Sequence, residues 1–347
     1  MVPMFKTNAP QDLEELEERL SCPSAALVNE MAQIEGDILF LGAGGKLGPS
    51  ITRMAKRATD EAGVSRRIIA VSRFSNQAAR EQLNACGVET VAADLMSSEQ
   101  LSALPDAANV IFMAGHKFGI ANNPSSTWAM NSYLPGRVME RYSDSRIAAF
   151  STGCVYGLSP LTQGGAIESD PLLPTDEYSM SCIGRERMVE HFSKVNQTPA
   201  TILRLNYAVE MRYGVLVDIA SAVFTDQPID LTMGYCNVIW QGDANAMALR
   251  SLALADTPAF AINLVGPELL SVRRIADSFA QIFGKEVRFT GTESPECLLT
   301  NGNLCQQVFG YPQVPVQAVI EWTAEWIRSG GQTLNKPTGF QVRDGKY

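Results

Sequence analysis

DILFLGAGGKLGPS, residues 37–50, is the part of the sequence that says most about the fold. A short apolar run stops at a glycine-rich turn, and the residues after the turn continue with the apolar period of a helix. A turn of this kind between a buried strand and a helix is typical of the first unit of a parallel α/β sheet. The stretch therefore predicts that such a sheet begins near residue 37.

Further apolar runs of strand type follow along the chain, separated by polar stretches of helical period. They are RRIIAVSR (66–73), VETVAAD (88–94), NVIFMAG (109–115), RIAAFSTG (146–153) and ATILRLN (200–206). Strands that alternate with helices are characteristic of a sheet covered by helices on both faces. The sequence therefore predicts an α/β fold with a doubly wound parallel sheet.

The composition excludes several classes of protein. Apolar residues make up 46% and charged residues 19% of the chain, which is typical of a globular protein. The net charge of -9 argues against nucleic acid or an anionic membrane as a partner, because both bind clustered Lys and Arg. With scattered cysteines and only two histidines, we expect no metal site. Neither a signal peptide nor a membrane-length apolar run is found, so we expect a cytoplasmic protein.

The glycine-rich turn has the composition of a phosphate-binding loop. Glycines let the backbone approach a pyrophosphate, and the free N–H groups at a helix N-terminus attract anions. We therefore predict a dinucleotide site on this turn, with a tight structural turn as the alternative. Its residues are Gly42, Gly44, Gly45, Lys46, Leu47 and Gly48.

The ends of the second and third predicted strands indicate which dinucleotide binds. The second strand ends at Ser72 and Arg73, with no acidic residue beside them. A carboxylate at this position would bind the adenosine ribose and repel a 2′-phosphate. A guanidinium fits that phosphate, so NADP is expected, with NAD as the alternative. Arg73 could instead be a solvated surface charge. Asp94 and Leu95 are expected beside the adenine ring, with a structural cap as the alternative for Asp94.

From about Asp37 to Pro312 the chain resembles the extended short-chain dehydrogenase/reductase superfamily, in particular the NAD-dependent epimerase/dehydratase family that includes UDP-glucose 4-epimerase. The resemblance is carried by GAGGKLG, VIFMAGHKFG, FSTGCVYG, Tyr178 and LRLNYAV. It implies a Rossmann-type sheet with a smaller C-terminal substrate-binding region. We divide the chain into an N-terminal helical arm (1–35), an NAD(P)-binding domain (36–206), a mainly substrate-binding region (207–330) and a tail (331–347).

The resemblance implies roles for residues at the carboxyl ends of the predicted strands. Thr152 is expected to hold a substrate oxygen, Tyr178 to be the general acid/base, and Asn131 to support the helix and the proton relay. Thr152 as a plain strand residue and Tyr178 as a core residue are the structural alternatives.

Strand ends face the ligand crevice, so residues that follow the fourth predicted strand are expected beside the cofactor. They are Ala114, Gly115 and Lys117. The resemblance places Lys117 near the cofactor phosphates. A surface lysine is the alternative reading.

Two positions depart from the pattern. Four residues after Tyr178 the family has a lysine that lowers the pKa of the tyrosine, and this chain has Cys182. Arg185, one turn further along, is expected to face Glu186 or solvent. Cys236 stands where nucleotide-sugar enzymes of the family carry an arginine that clamps the diphosphate, which favours a smaller substrate.

These features together predict an enzyme of the epimerase, dehydratase or reductase type. It would be an oxidoreductase or epimerase that transfers hydride between NADP or NAD and a sugar or related small carbonyl or hydroxyl compound. A catalytically weak NAD(P)-binding sensor or scaffold is the alternative, favoured by Cys182. The resemblance also implies a homodimer through the helices that carry Asn131 and Tyr178.

Overall fold

The computed structural model describes residues 8–117 and 123–343. Its strands are β1 (Ile38–Leu41), β2 (Ile68–Ser72), β3 (Glu89–Ala92), β4 (Asn109–Phe112), β5 (Arg146–Thr152), β6 (Ser159–Pro160), β7 (Ala200–Leu205), β8 (Ala208–Val209), β9 (Ile229–Asp230), β10 (Tyr235–Cys236), β11 (Ile239–Trp240), β12 (Phe260–Leu264), β13 (Leu270–Ser271), β14 (Phe289–Thr290) and β15 (Glu296–Cys297).

The helices alternate with the longer strands in the first half of the chain and predominate in the second. They are α1 (Leu13–Leu20), α2 (Ala25–Met31), α3 (Gly48–Glu61), α4 (Gln77–Ala85), α5 (Ser98–Ser102), α6 (Pro124–Trp128), α7 (Leu134–Arg141), α8 (Glu177–Asn196), α9 (Val215–Phe224), α10 (Gln241–Arg250), α11 (Val272–Phe283), α12 (Asn303–Phe309) and α13 (Val316–Arg328). A π-helical turn, Ala129–Tyr133, joins α6 to α7.

The central sheet has seven parallel strands in the order β12-β7-β5-β4-β1-β2-β3. The prediction of a doubly wound parallel sheet is therefore confirmed. Strand order reverses between β1 and β4, and ligands of such sheets bind in the crevice at the carboxyl ends of the strands on either side of that reversal. The glycine-rich turn follows β1 directly, so it lies at this crevice.

Both faces of the sheet are buried, which explains why its strands are nearly continuous apolar runs. In β1, Leu39 and Leu41 pack in one core cluster, whereas Ile38 and Phe40 pack in a second cluster on the opposite face. Adjacent side chains of a strand point to opposite faces, so each strand contributes to both clusters.

The N-terminal helices join the two halves of the molecule. α1 and α2 begin at the capping residues Asp12 and Ser24. Leu16 of α1 packs into the core of the second half, whereas Leu27 of α2 packs against the central sheet.

Residues beyond β7 contribute to two structures. β12 pairs with β7 at the edge of the central sheet, while α9, α11 and α13 pack together around a separate core that includes Phe279. The segment after α13 packs against α9. There the Thr338 amide and hydroxyl donate hydrogen bonds to Asp218 Oδ2 at 2.8 and 2.6 Å. Among the described residues, no helix is long and apolar enough to cross a membrane.

Candidate active site

Three glycines of the turn after β1 are required by close packing, and one is not. A Cβ atom on Gly42 would lie 2.6 Å from the Ala114 nitrogen, and one on Gly48 would lie 2.0 Å from the Ala43 oxygen. On Gly44 it would lie 2.3 Å from Ser72 Oγ. On Gly45, within the described residues, it would meet only the Gly42 oxygen, at an ordinary 3.5 Å. The space in front of Gly45 is therefore open to a ligand.

The start of α3 offers unused hydrogen-bond donors beside that space. The residue before α3, Leu47, provides no side-chain cap. The N–H groups of Lys46 and Leu47 have no acceptor within the part of the chain that the structure describes. Free N–H groups together with the helix dipole attract an anion, and glycine leaves room for it. The turn therefore fits a dinucleotide pyrophosphate.

The side chain of Lys46 points away from this anion site. Its Nζ donates to the Ala208 oxygen at 3.0 Å and lies 4.2 Å from the centroid of the Tyr213 ring. Burial lowers the pKa of Lys46 to about 8, with Arg212 and Lys117 acting in the same direction and Glu210 opposing them. Lys46 thus joins the turn to the second half of the molecule.

The ends of β2 and β3 lie along the same edge of the sheet. Ser72 is partly buried against Gly44, whereas Arg73 is exposed and forms no ion pair with the described residues. Asp94 accepts from the Met96 amide at 3.0 Å, which is a turn-capping bond, and Leu95 is buried in the core. Arg73 is therefore available to a phosphate, while the Asp94 carboxylate already has a partner within its own turn.

The strand end after β4 is held by the buried amide of Asn131. The His116 N–H donates to Asn131 Oδ1 at 2.8 Å, and Asn131 Nδ2 donates to the His116 oxygen at 2.9 Å. Nδ2 also donates to Ser181 Oγ at 2.9 Å, and that hydroxyl donates to the Tyr178 oxygen at 2.7 Å. Asn131 thereby ties the segment from Ala114 to Lys117 to the first turn of α8.

Thr152 ends β5 and is nearly buried. Its Oγ1 accepts from the Cys154 N–H at 3.2 Å, so it caps the 3-10 turn Gly153–Tyr156. The hydroxyl proton is still free to be donated to a ligand, because the bond to Cys154 uses only an oxygen lone pair.

Tyr178 lies in the first turn of α8 among groups from three elements. Lys117 Nζ is 5.8 Å from the centroid of its ring. Burial raises the pKa of Tyr178 well above its usual value, Cys182 and Cys154 raise it further, and Arg185 lowers it. Tyr178 is therefore firmly protonated at neutral pH in the free protein.

The thiol of Cys182 is fully buried beside Tyr178. Burial raises the pKa of Cys182 to about 11, so it is a neutral thiol at neutral pH. A neutral thiol supplies no positive charge to the tyrosine.

The expectation that Arg185 faces Glu186 or solvent is wrong. Arg185 is buried, and its Nη1 donates to the Phe150 oxygen at 2.6 Å. Its Nη2 donates to Asn131 Oδ1 at 3.0 Å. Glu186 is bound instead by Arg204, at 2.8 Å. Arg185 and Glu186 are adjacent on a helix and so point in different directions, and each finds its partner on a different element.

Sequence reasoning missed a buried polar network beneath the site. Ser151 Oγ donates to Glu186 Oε1 at 2.5 Å, and Arg204 Nη1 donates to the Tyr156 hydroxyl at 2.6 Å. That hydroxyl donates to Asn263 Oδ1 at 2.8 Å. An arginine within the apolar run ATILRLN was the available signal, because a charged residue in a buried strand requires a charged partner.

A small cavity of ≈ 10 Å³, room for about one water molecule, lies beside Cys154 and is lined by Ser179 of α8 and by Arg343 among other residues. Arg343 Nη1 donates to the oxygens of Glu296 at 2.8 Å and Thr232 at 3.2 Å, and it has no carboxylate partner in residues 8–117 and 123–343. Burial raises the pKa of Cys236 to about 12, so that residue is a neutral thiol. Arg343 is a cation that sequence reasoning did not select.

A larger cavity of ≈ 400 Å³ lies between α9 and the tail and is lined by Tyr213 and Asp218 among other residues. It includes neither Thr152 nor Tyr178. The residues that the sequence predicts to bind therefore fall along a different line, from the glycine turn through the end of β4 to the end of β5 and the start of α8.

Comparison with known proteins agrees with this geometry. The model of the NAD dependent epimerase/dehydratase family matches residues 38–209. No curated protein sequence matches the chain.

Solved structures of similar fold have low sequence identity to this chain. UDP-glucuronic acid 4-epimerase from Bacillus cereus, in complex with NAD, is 16% identical, with a TM-score of 0.69 over 84% of this chain and 96% of that one. dTDP-glucose 4,6-dehydratase from Streptomyces venezuelae, with NAD and TYD bound, is 18% identical, with a TM-score of 0.70 over 84% of this chain and 97% of that one.

UDP-Glc/GlcNAc 4-epimerase from the human pathogen Campylobacter jejuni is 18% identical, with a TM-score of 0.69 over 84% of this chain and 99% of that one. At such identities the likeness establishes the fold alone, and it confirms the Rossmann-type architecture.

Proposed function

Residues 38–209 belong to the NAD dependent epimerase/dehydratase family, and from this we propose that the chain is an NAD(P)-dependent oxidoreductase or epimerase that acts on a sugar or a related small carbonyl or hydroxyl compound. The observation that carries the proposal is that Lys117, Tyr178 and Cys154 converge at the carboxyl ends of β4 and β5. Thr152 belongs to the same group, because it lies two residues before Cys154 and accepts a hydrogen bond from the Cys154 N–H. Parallel α/β sheets bind their ligands at these ends.

The cofactor assignment rests on the glycine turn and on Arg73. The open space at Gly45 and the free N–H groups of Lys46 and Leu47 suit a pyrophosphate. Arg73 is exposed, and the preceding residue is Ser72 rather than an acid, which favours NADP over NAD. The nicotinamide of the bound cofactor supplies or accepts the hydride.

The protein's own contribution is to hold the substrate oxygen and move its proton. Thr152 can donate its hydroxyl proton to that oxygen, because its own oxygen already accepts from Cys154. Tyr178 stays protonated in the free protein, so it can give a proton to the oxygen as negative charge develops there. In the opposite direction the phenolate of Tyr178 would accept the proton. Asn131 supports both residues indirectly by fixing the strand end and the first turn of α8.

The substrate is proposed to be smaller than a nucleotide sugar. The neutral thiol of Cys236 cannot clamp a diphosphate. Asn237 and Gln241 bind the Thr300 oxygen and Ser50 Oγ within the protein. Arg343 remains, near Cys154, as a cation for the carboxylate or phosphate of a sugar derivative; the cavity between them has room for only about one water molecule.

We also propose a quaternary structure and a cellular compartment for the protein. Tyr133 and Val195 are 60% and 63% exposed on the elements that carry Asn131 and Tyr178, which suits a homodimer through α7 and α8. A reducing cytoplasm is proposed as its compartment, because the cysteines are scattered along the sequence without a disulfide pattern.

A catalytically weak NAD(P)-binding sensor or scaffold is the second candidate. It is favoured by the fully buried, neutral Cys182 beside Tyr178, because an active tyrosine needs a cation to form its phenolate.

The two candidates are separated by a substrate screen. Purified protein is incubated with NADP or NAD and with free sugars, sugar acids, sugar phosphates and UDP- or dTDP-sugars. Absorbance of the reduced nicotinamide follows net oxidation, and NMR of the products detects epimerisation. We expect turnover with a small anionic sugar derivative and none in Tyr178→Phe. Tight NADP binding without turnover across the panel would favour the sensor, and equal turnover by Tyr178→Phe would remove the tyrosine from the mechanism.

A further inference from the structure

Arg185 is a buried cation that pairs with no carboxylate of the described residues. It is 6% exposed, and its guanidinium donates only to carbonyl oxygens, those of Phe150 and of the Asn131 main chain and side chain. The adjacent carboxylate, Glu186, is bound by Arg204. No ion pair of Arg185 occurs in the described parts of the chain. A buried charge without a counterion is costly, so a negative charge that forms next to it is stabilised.

The position of Arg185 on α8 directs it toward the tyrosine. Tyr178, Cys182 and Arg185 are spaced by four and three residues, so they share one face of the helix. Helical side chains lean toward the N-terminus of the helix, and the long side chain of Arg185 therefore extends back toward the turn of Cys182 and Tyr178.

The guanidinium also reaches the end of β4. A Cβ atom on Gly115 would lie 2.7 Å from Arg185 Nη2 and 3.3 Å from Asn131 Oδ1. Glycine at this position thus lets the guanidinium approach the backbone segment that leads to Lys117. The side chain of Arg185 therefore reaches from α8, which carries Tyr178, to the segment after β4, which carries Lys117.

Four groups face Tyr178 from the elements packed around it. Cys182 and Arg185 belong to its own helix, Cys154 to the turn after β5, and Lys117 to the segment after β4. The two thiols oppose ionisation of the phenol, and the two cations favour it. Lys117 lies in a segment with intermediate exposure, where water screens its charge, whereas Arg185 acts from the interior.

We propose that Arg185 is a positioning residue that stabilises the phenolate form of Tyr178, the task for which the family pattern uses a lysine at the position of Cys182. The consequence for catalysis rests on the proposed function, whereas the electrostatic effect on the tyrosine does not.

The test replaces Tyr178 with difluorotyrosine, whose lower intrinsic pKa brings the titration into an accessible range, and follows it by fluorine NMR. Arg185→Gln removes the charge and keeps a donor, and Arg185→Lys restores the charge. Arg187→Gln is the matched control, because Arg187 lies on the exposed side of α8 and pairs with Glu190. Lys117→Gln measures the effect of the other cation, Lys117, on the pKa of the labelled tyrosine.

We expect Arg185→Gln to raise the pKa of the labelled residue by about one unit, as for loss of a charge about 10 Å away, the rise of seven helical residues, at an effective dielectric near 20. Arg185→Lys should recover most of the shift, and Arg187→Gln should cause none. An unchanged pKa in folded Arg185→Gln, or a shift caused by Lys117→Gln alone, would overturn the proposal.

A second variant covers the case in which Arg185→Gln does not fold. Asn131→Asp places a carboxylate against the guanidinium that Asn131 already contacts at 3.0 Å, so it pairs the cation in place, and it also removes the Nδ2 bonds to the His116 oxygen and Ser181 Oγ. It should raise the pKa in the same direction, and an unchanged value would count against the proposal. The titration uses no substrate. A pKa shift without any turnover in the substrate screen would therefore refute the proposed function and leave this inference standing.

Discussion

Gly45→Val separates a binding role of the glycine turn from a structural one. The added Cβ meets only the Gly42 oxygen at 3.5 Å, an ordinary contact, and Gly45 does not have a positive φ. The free energy of unfolding should therefore change by less than about 0.5 kcal/mol from loss of packing. The branched side chain should nevertheless occupy the space in front of the N–H groups of Lys46 and Leu47.

The loss of binding can be calculated from those two donors. A hydrogen bond to a charged acceptor contributes about 1.5–3 kcal/mol, so losing both should cost roughly 3–6 kcal/mol. This corresponds to a loss of about two to four orders of magnitude in NADP affinity. Isothermal titration calorimetry measures the affinity, and urea unfolding measures the stability.

Gly48→Val is the matched control within the same turn. The Cβ atom of the valine would lie 2.0 Å from the Ala43 backbone oxygen. This clash should lower the free energy of unfolding by about 1–3 kcal/mol. If Gly45→Val is folded and binds NADP with wild-type affinity, the turn does not hold the pyrophosphate and the reasoning from its open space fails.

Three further predictions concern the cofactor preference, a buried lysine and the buried network. Arg73→Ala should weaken NADP binding by about 1–3 kcal/mol and leave NAD binding unchanged, because only NADP carries the 2′-phosphate; equal calorimetric losses for both cofactors would contradict this. Because the pKa of Lys46 is about 8 in the folded chain and 10.5 ordinarily, the unfolded chain binds more protons between these values, so this residue makes stability rise with pH across that window. Lys46→Met should remove that rise in urea unfolding measured at several pH values, and an unchanged slope would show that the lysine is not buried as described. Glu186→Gln should lower the free energy of unfolding by about 3–5 kcal/mol, because it leaves the buried guanidinium of Arg204 without a counterion. Glu190→Gln, which breaks an exposed pair with Arg187, should cost less than about 1 kcal/mol, and similar losses in the two variants would refute the importance of burial.

The sheet could be predicted from the sequence because its strands are short apolar runs and its first turn is rich in glycine. α1 and α2 fall within the segment 1–35 that the sequence predicts to be helical, and Asp12 and Ser24 cap their N-termini. The hydrophobic pattern could not predict the position of β12 in the sheet. The pairing of β12 with β7 joins residues that are more than fifty positions apart in the sequence.

Side-chain orientation was harder to predict within the candidate site. Arg185 was assigned to its sequence neighbour, yet Arg204 from β7 captures Glu186 and leaves Arg185 to the carbonyl oxygens of Phe150 and Asn131. Lys46 belongs to the phosphate-binding turn in sequence, but its amine reaches the Ala208 oxygen. In both cases a partner distant in sequence outcompetes a local one, and a single sequence does not contain that information.

The central claim is that Thr152 and Tyr178 flank the nicotinamide end of an NADP bound on the glycine turn. An experimental structure of the protein with NADP tests it most directly. The account predicts the pyrophosphate at the amides of Lys46 and Leu47, and the Tyr178 hydroxyl within about 2.6–3.2 Å of the nicotinamide ribose or of a substrate oxygen held by Thr152. A cofactor bound elsewhere, or a nicotinamide turned away from Tyr178 toward solvent, would contradict it.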